Sequence, residues 1–193
     1  MGIEFELKFR ATEQVQSLLR AAVDGPEQHF DMQTTYYDTP GGALSARHYT
    51  LRCRKENQLH VCTLKYPAGD LGRGEIEIEC DSITDALPEL CKLSKLPDLE
   101  ILTRDGVVPV CGAKFHRIAK AFTWDGTTME LALDQGVLTG GGKEIPLCEI
   151  EIELKEGSAH TVKAYVAGIA AAFSLEPENR SKFRRALDLA KGE

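Results

Sequence analysis

Residues 3–9 read Ile3-Glu4-Phe5-Glu6-Leu7-Lys8-Phe9, a strict alternation of apolar and charged side chains. That period of two belongs to a β-strand whose faces lie in different environments. It puts Phe5, Leu7 and Phe9 on one face and Glu4, Glu6 and Lys8 on the other. The pattern returns along the chain as Thr50-Leu51-Arg52-Cys53-Arg54, Thr63-Leu64-Lys65, Arg73-Gly74-Glu75-Ile76-Glu77-Ile78-Glu79 and Cys148-Glu149-Ile150-Glu151-Ile152-Glu153-Leu154. A chain with this many two-faced strands is constrained to build a large antiparallel sheet with one apolar and one charged face.

Helical patterns fall between the strands. Thr12 is placed to cap a helix to about Val23, with Val15, Leu18, Leu19 and Ala22 as its stripe. Ser82-Ile83-Thr84-Asp85 resembles a capping box, opening a helix through Leu87, Leu90, Leu93 and Leu96 toward Pro97. Gly157-Ser158 precedes a helix to about Phe173, and a last one spans about Arg180 to Lys191. Gln33 to Asp38 reads as a strand, and the loop over Pro67–Gly72 joins two others. Asp125-Gly126 predicts a tight hairpin between Lys114–Trp124 and Thr128–Asp134, and Glu56-Asn57 another. Residues 98–112 carry no clear period. The amphipathic helices need an apolar surface to cover, so the charged strand faces are expected to point inward. The expectation is a single α+β domain over residues 1–193: a closed eight-stranded antiparallel β-barrel, a tunnel with a charged interior, covered outside by several α-helices.

The chain has 193 residues and a net charge of −7, which disfavours a general nucleic-acid or anionic-membrane surface. No apolar run has the length of a membrane span, and the N-terminus shows no basic region followed by an apolar stretch. The six cysteines include no Cys-x-x-Cys pair. Cys53, Cys62, Cys80 and Cys148 have the parity opposite to the charged residues and read as small buried hydrophobes, which suggests a reducing, cytoplasmic setting.

Crowded carboxylates repel one another and stay ionised only beside cations. Hard oxygen donors select Mg²⁺ or Mn²⁺ over zinc or copper, and arginines suit an oxygen-rich anion such as phosphate. The five histidines (His29, His48, His60, His116 and His160) are scattered and read as surface or packing residues. The Gly-x-x-x-x-Gly-Lys loop of nucleotide-binding folds is missing. Tyr36, Tyr37, Tyr49 and Trp124 could stack on a ring, but aromatic residues in strands are usually core.

Taken in order, Glu4-Phe5-Glu6-Leu7-Lys8, Tyr37-Asp38-Thr39-Pro40, Leu51-Arg52-Cys53-Arg54, Thr63-Leu64-Lys65, Arg73-x-Glu75, Glu130–Gly136, Cys148–Leu154 and Ser181-Lys182-x-x-Arg185 resemble the CYTH domain, or triphosphate tunnel metalloenzyme, family. Within it the chain looks most like bacterial inorganic triphosphatases. The resemblance implies a metal-dependent hydrolase that cleaves a phosphoanhydride of inorganic triphosphate (tripolyphosphate). Class IV adenylate cyclase, thiamine triphosphatase and a non-catalytic polyphosphate-binding module are the alternatives. It implies Glu4, Glu6, Asp134, Glu149, Glu151 and Glu153 as ligands for Mg²⁺ or Mn²⁺, and Lys8, Arg52, Arg54, Lys65, Arg73, Arg117 and Lys182 as triphosphate contacts. Glu4, Glu6, Lys8, Arg52, Glu149 and Lys182 carry the catalytic expectation. Glu75 and Glu77 are expected to orient the bases. Phe115 stands where many members have a basic residue, with Lys114 or Lys120 as possible substitutes. The expected partner is a small-molecule triphosphate, with no nucleic acid and no membrane, in a monomer or homodimer.

Overall fold

The computed structural model describes residues 2–69 and 72–193. In chain order the strands are β1 (Gly2–Glu4), β2 (Glu6–Arg10), β3 (Glu27–Asp38), β4 (Thr50–Glu56), β5 (Leu59–Pro67), β6 (Arg73–Glu79), β7 (Val108–Trp124), β8 (Thr127–Gly140), β9 (Lys143–Glu156) and β10 (Glu176–Pro177). The helices are α1 (Glu13–Ala22), α2 (Ile83–Ser94), α3 (Leu99–Thr103), α4 (Ala159–Phe173) and α5 (Lys182–Lys191). The unassigned stretch 98–112 thus holds α3 and the start of β7, and β3 begins six residues before the expected Gln33. The middle of the Pro67–Gly72 loop lies outside the described residues.

All ten strands form one antiparallel sheet in the order β1-β6-β5-β4-β3-β7-β8-β9-β2-β10. This corrects the expected closed barrel of eight strands. Among the described residues β1 pairs only with β6, while β2 pairs with β9. The other edge of β2 is taken by β10, through Glu176 opposite Arg10 and Pro177 opposite Phe9. Closure would need one strand bonded to both of its neighbours along its length, and the change of partner at Phe5 interrupts it. The same N-terminal segment nevertheless supplies strands toward both ends of the sheet. The sheet curves far enough for side chains from β2 to β9 to line a single cavity of about 630 Å³.

The outer face is apolar as the alternation requires. Phe5, Leu7 and Phe9 pack with Ile150 and Ile152 beneath Leu19 of α1 and Val162 and Val166 of α4. Leu51, Cys62, Leu64 and Ile76 pack beneath Leu90 of α2 and Leu99 of α3, with Cys53 and Cys80 alongside. All six cysteines are free thiols. In α1 the buried face carries Gln16 and Leu19, whereas Leu18 is 51% exposed. Residue 18 falls off the stripe that residues 12, 15/16, 19 and 23 make at helical spacing.

α5 departs from the expected outer layer of helices. Its Phe183, Ala186 and Leu187 pack against Met32, Tyr36, Phe115, Leu138 and Leu147, so one end of the inner face is apolar and receives the helix. Ser181 caps it by accepting from the Arg184 amide at 3.1 Å. Gly140 makes this docking possible, because a Cβ there would collide with the Ala186 carbonyl and the Ala190 amide. Gly136 does the same inside the sheet, letting β8 run against the backbone of β7 at Phe115.

Candidate active site

The register places the charged residues in rows across the strands. Glu6 of β2 lies opposite Glu153 of β9, which lies opposite Glu130 of β8. Two residues further along β2, Lys8 lies opposite Glu151. On the other wall, Arg52 of β4 lies opposite Thr63 of β5, itself opposite Glu77 of β6; Lys65 lies opposite Glu75. Among the expected site residues, Glu6, Lys8, Arg52, Arg54, Lys65, Arg73, Arg117, Glu151, Glu153 and Lys182 all line the one cavity. The side chain of Glu4 lies outside the described residues; its backbone sits opposite Arg73 in the β1–β6 pair.

Asp134 and Glu149 are fully buried and do not line the cavity. They lie in a cluster with Glu151, oxygens of all three falling within 4.8 Å of one another. Three cations already hold that cluster. Arg117 is bidentate to Asp134, with both contacts at 2.7 Å, and reaches Glu151 at 2.5 Å. Lys182 Nζ lies 2.8 Å from Asp134 and 2.9 Å from Glu151, and it also pairs with Glu149. Arg185 pairs with the other Glu149 oxygen. Burial alone would push all three acids up. Arg117 and Lys182 outweigh it at Asp134, and Lys182, Arg117 and Lys8 do so at Glu151, so both carboxyls are held below their ordinary range. At Glu149 burial prevails and the carboxyl is pushed up. This is an ionic plug at the root of α5, with the Lys182 ammonium at its centre, closed at Asp134 and Glu149 and bordering the cavity through Arg117, Glu151 and Lys182.

The cavity wall is less well neutralised. Three glutamates facing one another across β2, β9 and β8 are mutually unfavourable. Lys8 reaches Glu6 at 2.8 Å, and Lys155 reaches Glu153 at 2.8 Å and Glu130 at 3.4 Å. These are hard oxygen donors on an open wall, and with Glu151, the one member of the trio that lines the cavity, they fit a divalent cation of the Mg²⁺ type better than buried Asp134 and Glu149 do. On the cationic wall, Arg52 has among the described residues only long contacts, 3.5 Å to Glu77 and 3.6 Å to Glu75, and Lys65 sits 3.2 Å from Glu75. Glu75 and Glu77 therefore stand beside Arg52 and Lys65, in position to orient both bases. The Nε–H groups of Arg52, Arg54 and Arg73 are buried with no hydrogen-bond partner among the described residues. Burial first, and then repulsion from Arg52 and Arg117, pushes the Arg54 guanidinium down to about 10. Guanidinium groups crowded in this way, with unspent donors, suit an oxyanion with several charges.

Phe115 carries neither expected substitute. Lys114 has the outward parity opposite Gln33, and Lys120 donates to the Arg20 carbonyl at 2.8 Å on the outer face. The Phe115 ring instead lies under two site cations, 5.8 Å from Arg117 Cζ and 5.3 Å from Lys182 Nζ. Of the aromatic candidates, Tyr36 and Tyr49 line the cavity, while Tyr37 packs in the outer core and Trp124 against Tyr165. Asp38 of the Tyr-Asp-Thr-Pro motif organises a turn, accepting from the amides of Thr39, Leu44 and Ser45 at 2.7, 2.8 and 3.1 Å.

Several site residues escaped sequence reasoning. Glu130 shares the parity of Asp134, a signal present in Glu130-Leu131-Ala132-Leu133-Asp134. Lys155 continues the parity of Glu151 and Glu153. Arg180 and Arg184 line the cavity from the α5 end, and Arg185 holds Glu149. Gln16 gave no signal in the chain. Its buried amide donates to the Asp134 and Glu149 carbonyls at 3.0 and 2.8 Å, tying β8 and β9 together directly behind the plug.

The CYTH domain model matches residues 2–187. An inorganic triphosphatase of Haemophilus influenzae is 30% identical over 143 residues, covering 72% of this chain and 40% of the relative's length. The chain therefore spans less than half of that relative. Among solved structures, PH1819 from Pyrococcus horikoshii matches with a TM-score of 0.61 at 22% identity, covering 96% of this chain and 99% of the other. HpAC1 from Hippeastrum, described as having a dominant triphosphatase activity, matches with a TM-score of 0.62 at 20% identity, covering 98% and 96%. These two structural matches show the fold.

Proposed function

From the premise that the chain belongs to the CYTH domain family, we propose that it hydrolyses inorganic triphosphate, in a divalent-metal-dependent reaction giving diphosphate and phosphate. The observation that carries this reading is the division of one cavity into an arginine wall with unspent donors and an opposing row of glutamates. We assign Lys8, Arg52, Arg54, Lys65, Arg73, Arg117 and Lys182 to the triphosphate. Arg52, Arg54 and Arg73 face it directly, while Arg117 and Lys182 add positive charge from the plug below.

We assign a hard cation, Mg²⁺ or Mn²⁺, to Glu6, Glu151 and Glu153, with Glu4 by motif and Glu130 by register. When bound, it supplies charge neutralisation on the phosphoryl oxygens. The remaining work falls to the chain. The arginines hold the anion and stabilise charge that builds on the transferred phosphoryl group. A wall carboxylate, Glu6 or Glu153, accepts the proton of a water whose oxygen attacks the terminal phosphorus as the bridging P–O bond breaks. Asp134 and Glu149, sealed beneath, position Arg117 and Lys182 and are not assigned to the metal.

We read residues 1–193 as one domain working in the cytoplasm on a small molecule, with neither nucleic acid nor membrane as partner. No helix among the described residues is long and apolar enough to cross a membrane. The test gives purified protein tripolyphosphate, ATP and thiamine triphosphate in parallel, with Mg²⁺ or Mn²⁺. Orthophosphate release fastest from tripolyphosphate is the expected result. Cyclic AMP from ATP would assign a cyclase instead, and binding without turnover would assign a phosphate-binding module.

A further inference from the structure

On the outside of the sheet, away from the cavity, β3 and β7 bring together two histidines 87 positions apart in the chain. His29 Nδ1 and His116 Nε2 face each other at 3.1 Å. The remaining ring nitrogen of each meets a carboxylate: His116 Nδ1 lies 2.9 Å from Asp31, and His29 Nε2 lies 3.5 Å from Glu27. The rings are about half exposed and tilted by 40° with centroids 5.3 Å apart. Arg20, at 2.5 Å, and Lys120, at 3.6 Å, hold Glu27 in place, and Asn57 accepts from the Asp31 amide at 2.8 Å.

We propose that His29 and His116 form a site for one borderline divalent transition metal ion, of the Zn²⁺, Ni²⁺ or Cu²⁺ class. Two nitrogens bound to such a metal at about 2.0–2.1 Å in square (cis) or tetrahedral geometry stand roughly 2.8–3.4 Å apart. The two imidazoles are already at that separation. Metal-ligating histidines commonly donate their other N–H to a carboxylate, which fixes tautomer and ring orientation, and here Asp31 and Glu27 hold both rings from behind. Imidazole selects this class of metal, whereas the glutamates of the cavity select hard cations. Entry of the metal displaces one proton from between the rings. That proton either leaves to solvent or moves to His29 Nε2, where Glu27 accepts it. The bound ion would clip β3 to β7, leaving the other coordination positions to water or to a group from another molecule.

The test adds one equivalent of Cu²⁺ to the full chain in excess Mg²⁺, which competes for hard carboxylate ligands elsewhere. Electron paramagnetic resonance should show coupling to two nitrogens, reduced in His29→Gln and in His116→Gln. Asp31→Asn should weaken binding by about tenfold. Ni²⁺ should raise the melting temperature of the wild type and leave that of His29→Gln unmoved. A Cu²⁺ signal from oxygen ligands only, or equal binding by wild type and His29→Gln, overturns the proposal. His29→Gln, on an exposed strand position, keeps the test decisive if His116→Gln fails to fold.

Discussion

Arg117 and Asp134 face each other across β7 and β8 as a bidentate pair, both contacts at 2.7 Å, and the carboxylate has no exposure to solvent. Such a pair is worth little against an apolar substitute, but breaking one partner strands the other charge. Asp134→Asn, close in shape, should lower stability by about 3–5 kcal/mol in urea unfolding. Full stability with activity lost would instead make Asp134 a direct participant in the chemistry.

Lys182 occupies the centre of three carboxylates where a metal would otherwise be expected. In Lys182→Met those carboxylates lose a shared ammonium and keep Arg117, Arg185 and, beside Glu151, Lys8. Mn²⁺ or Mg²⁺ at millimolar levels should then raise the melting temperature of the variant more than that of the wild type. Equal shifts in both proteins would show that the trio does not behave as a lysine-filled cation site.

The plug makes stability depend on pH in opposite senses at the two ends. Glu151 and Asp134 are held below ordinary values of 4.5 and 3.8, so their contribution is complete above those values and is lost as pH falls through the folded ones. For Lys182, burial lowers the ammonium but the surrounding carboxylates raise it above its ordinary 10.5. Its contribution is complete below that value and is lost only as pH rises through the folded one. Glu149, pushed up by burial, works the other way and favours the fold on the acid side. Denaturation midpoints across this range should fall less steeply toward acid in Glu151→Gln than in the wild type.

Among the described residues Arg52 makes ion pairs only at 3.5 and 3.6 Å, and its buried Nε–H has no partner, which leaves its fork available to substrate. Arg52→Ala should lower kcat for tripolyphosphate on the order of 10²-fold or more, with Arg52→Lys intermediate because a point charge replaces a fork. Glu6→Gln should raise the Mg²⁺ concentration needed for half-maximal activity. Unchanged metal dependence would remove Glu6 from the metal-holding wall.

Gln16 is a polar residue at a core position, and its amide bridges the carbonyls of Asp134 and Glu149. Gln16→Leu should cost about 1–3 kcal/mol by thermal or urea unfolding, although it makes α1 more apolar. A neutral or stabilising result would show that the bridge does not hold β8 and β9.

By itself the sequence determined which strand residues share a face, because side-chain direction in a strand alternates with chain position and nothing distant can change that parity. Glu6, Lys8, Arg52, Arg54, Lys65, Glu151 and Glu153 were legible for this reason, as were the apolar faces carrying Phe9, Leu51 and Ile152. Tertiary structure alone decided which members of the charged face meet the cavity and which are spent on each other. Asp134 and Glu149 lie on the same charged face as Glu151, yet α5 lowers Lys182 and Arg185 onto them, and ion pairing between residues more than thirty positions apart leaves no local pattern. The open sheet order was set the same way, by β10 taking the edge of β2. So was the meeting of His29 with His116, which depends on the register between β3 and β7 and on no property of either residue's neighbours in the chain.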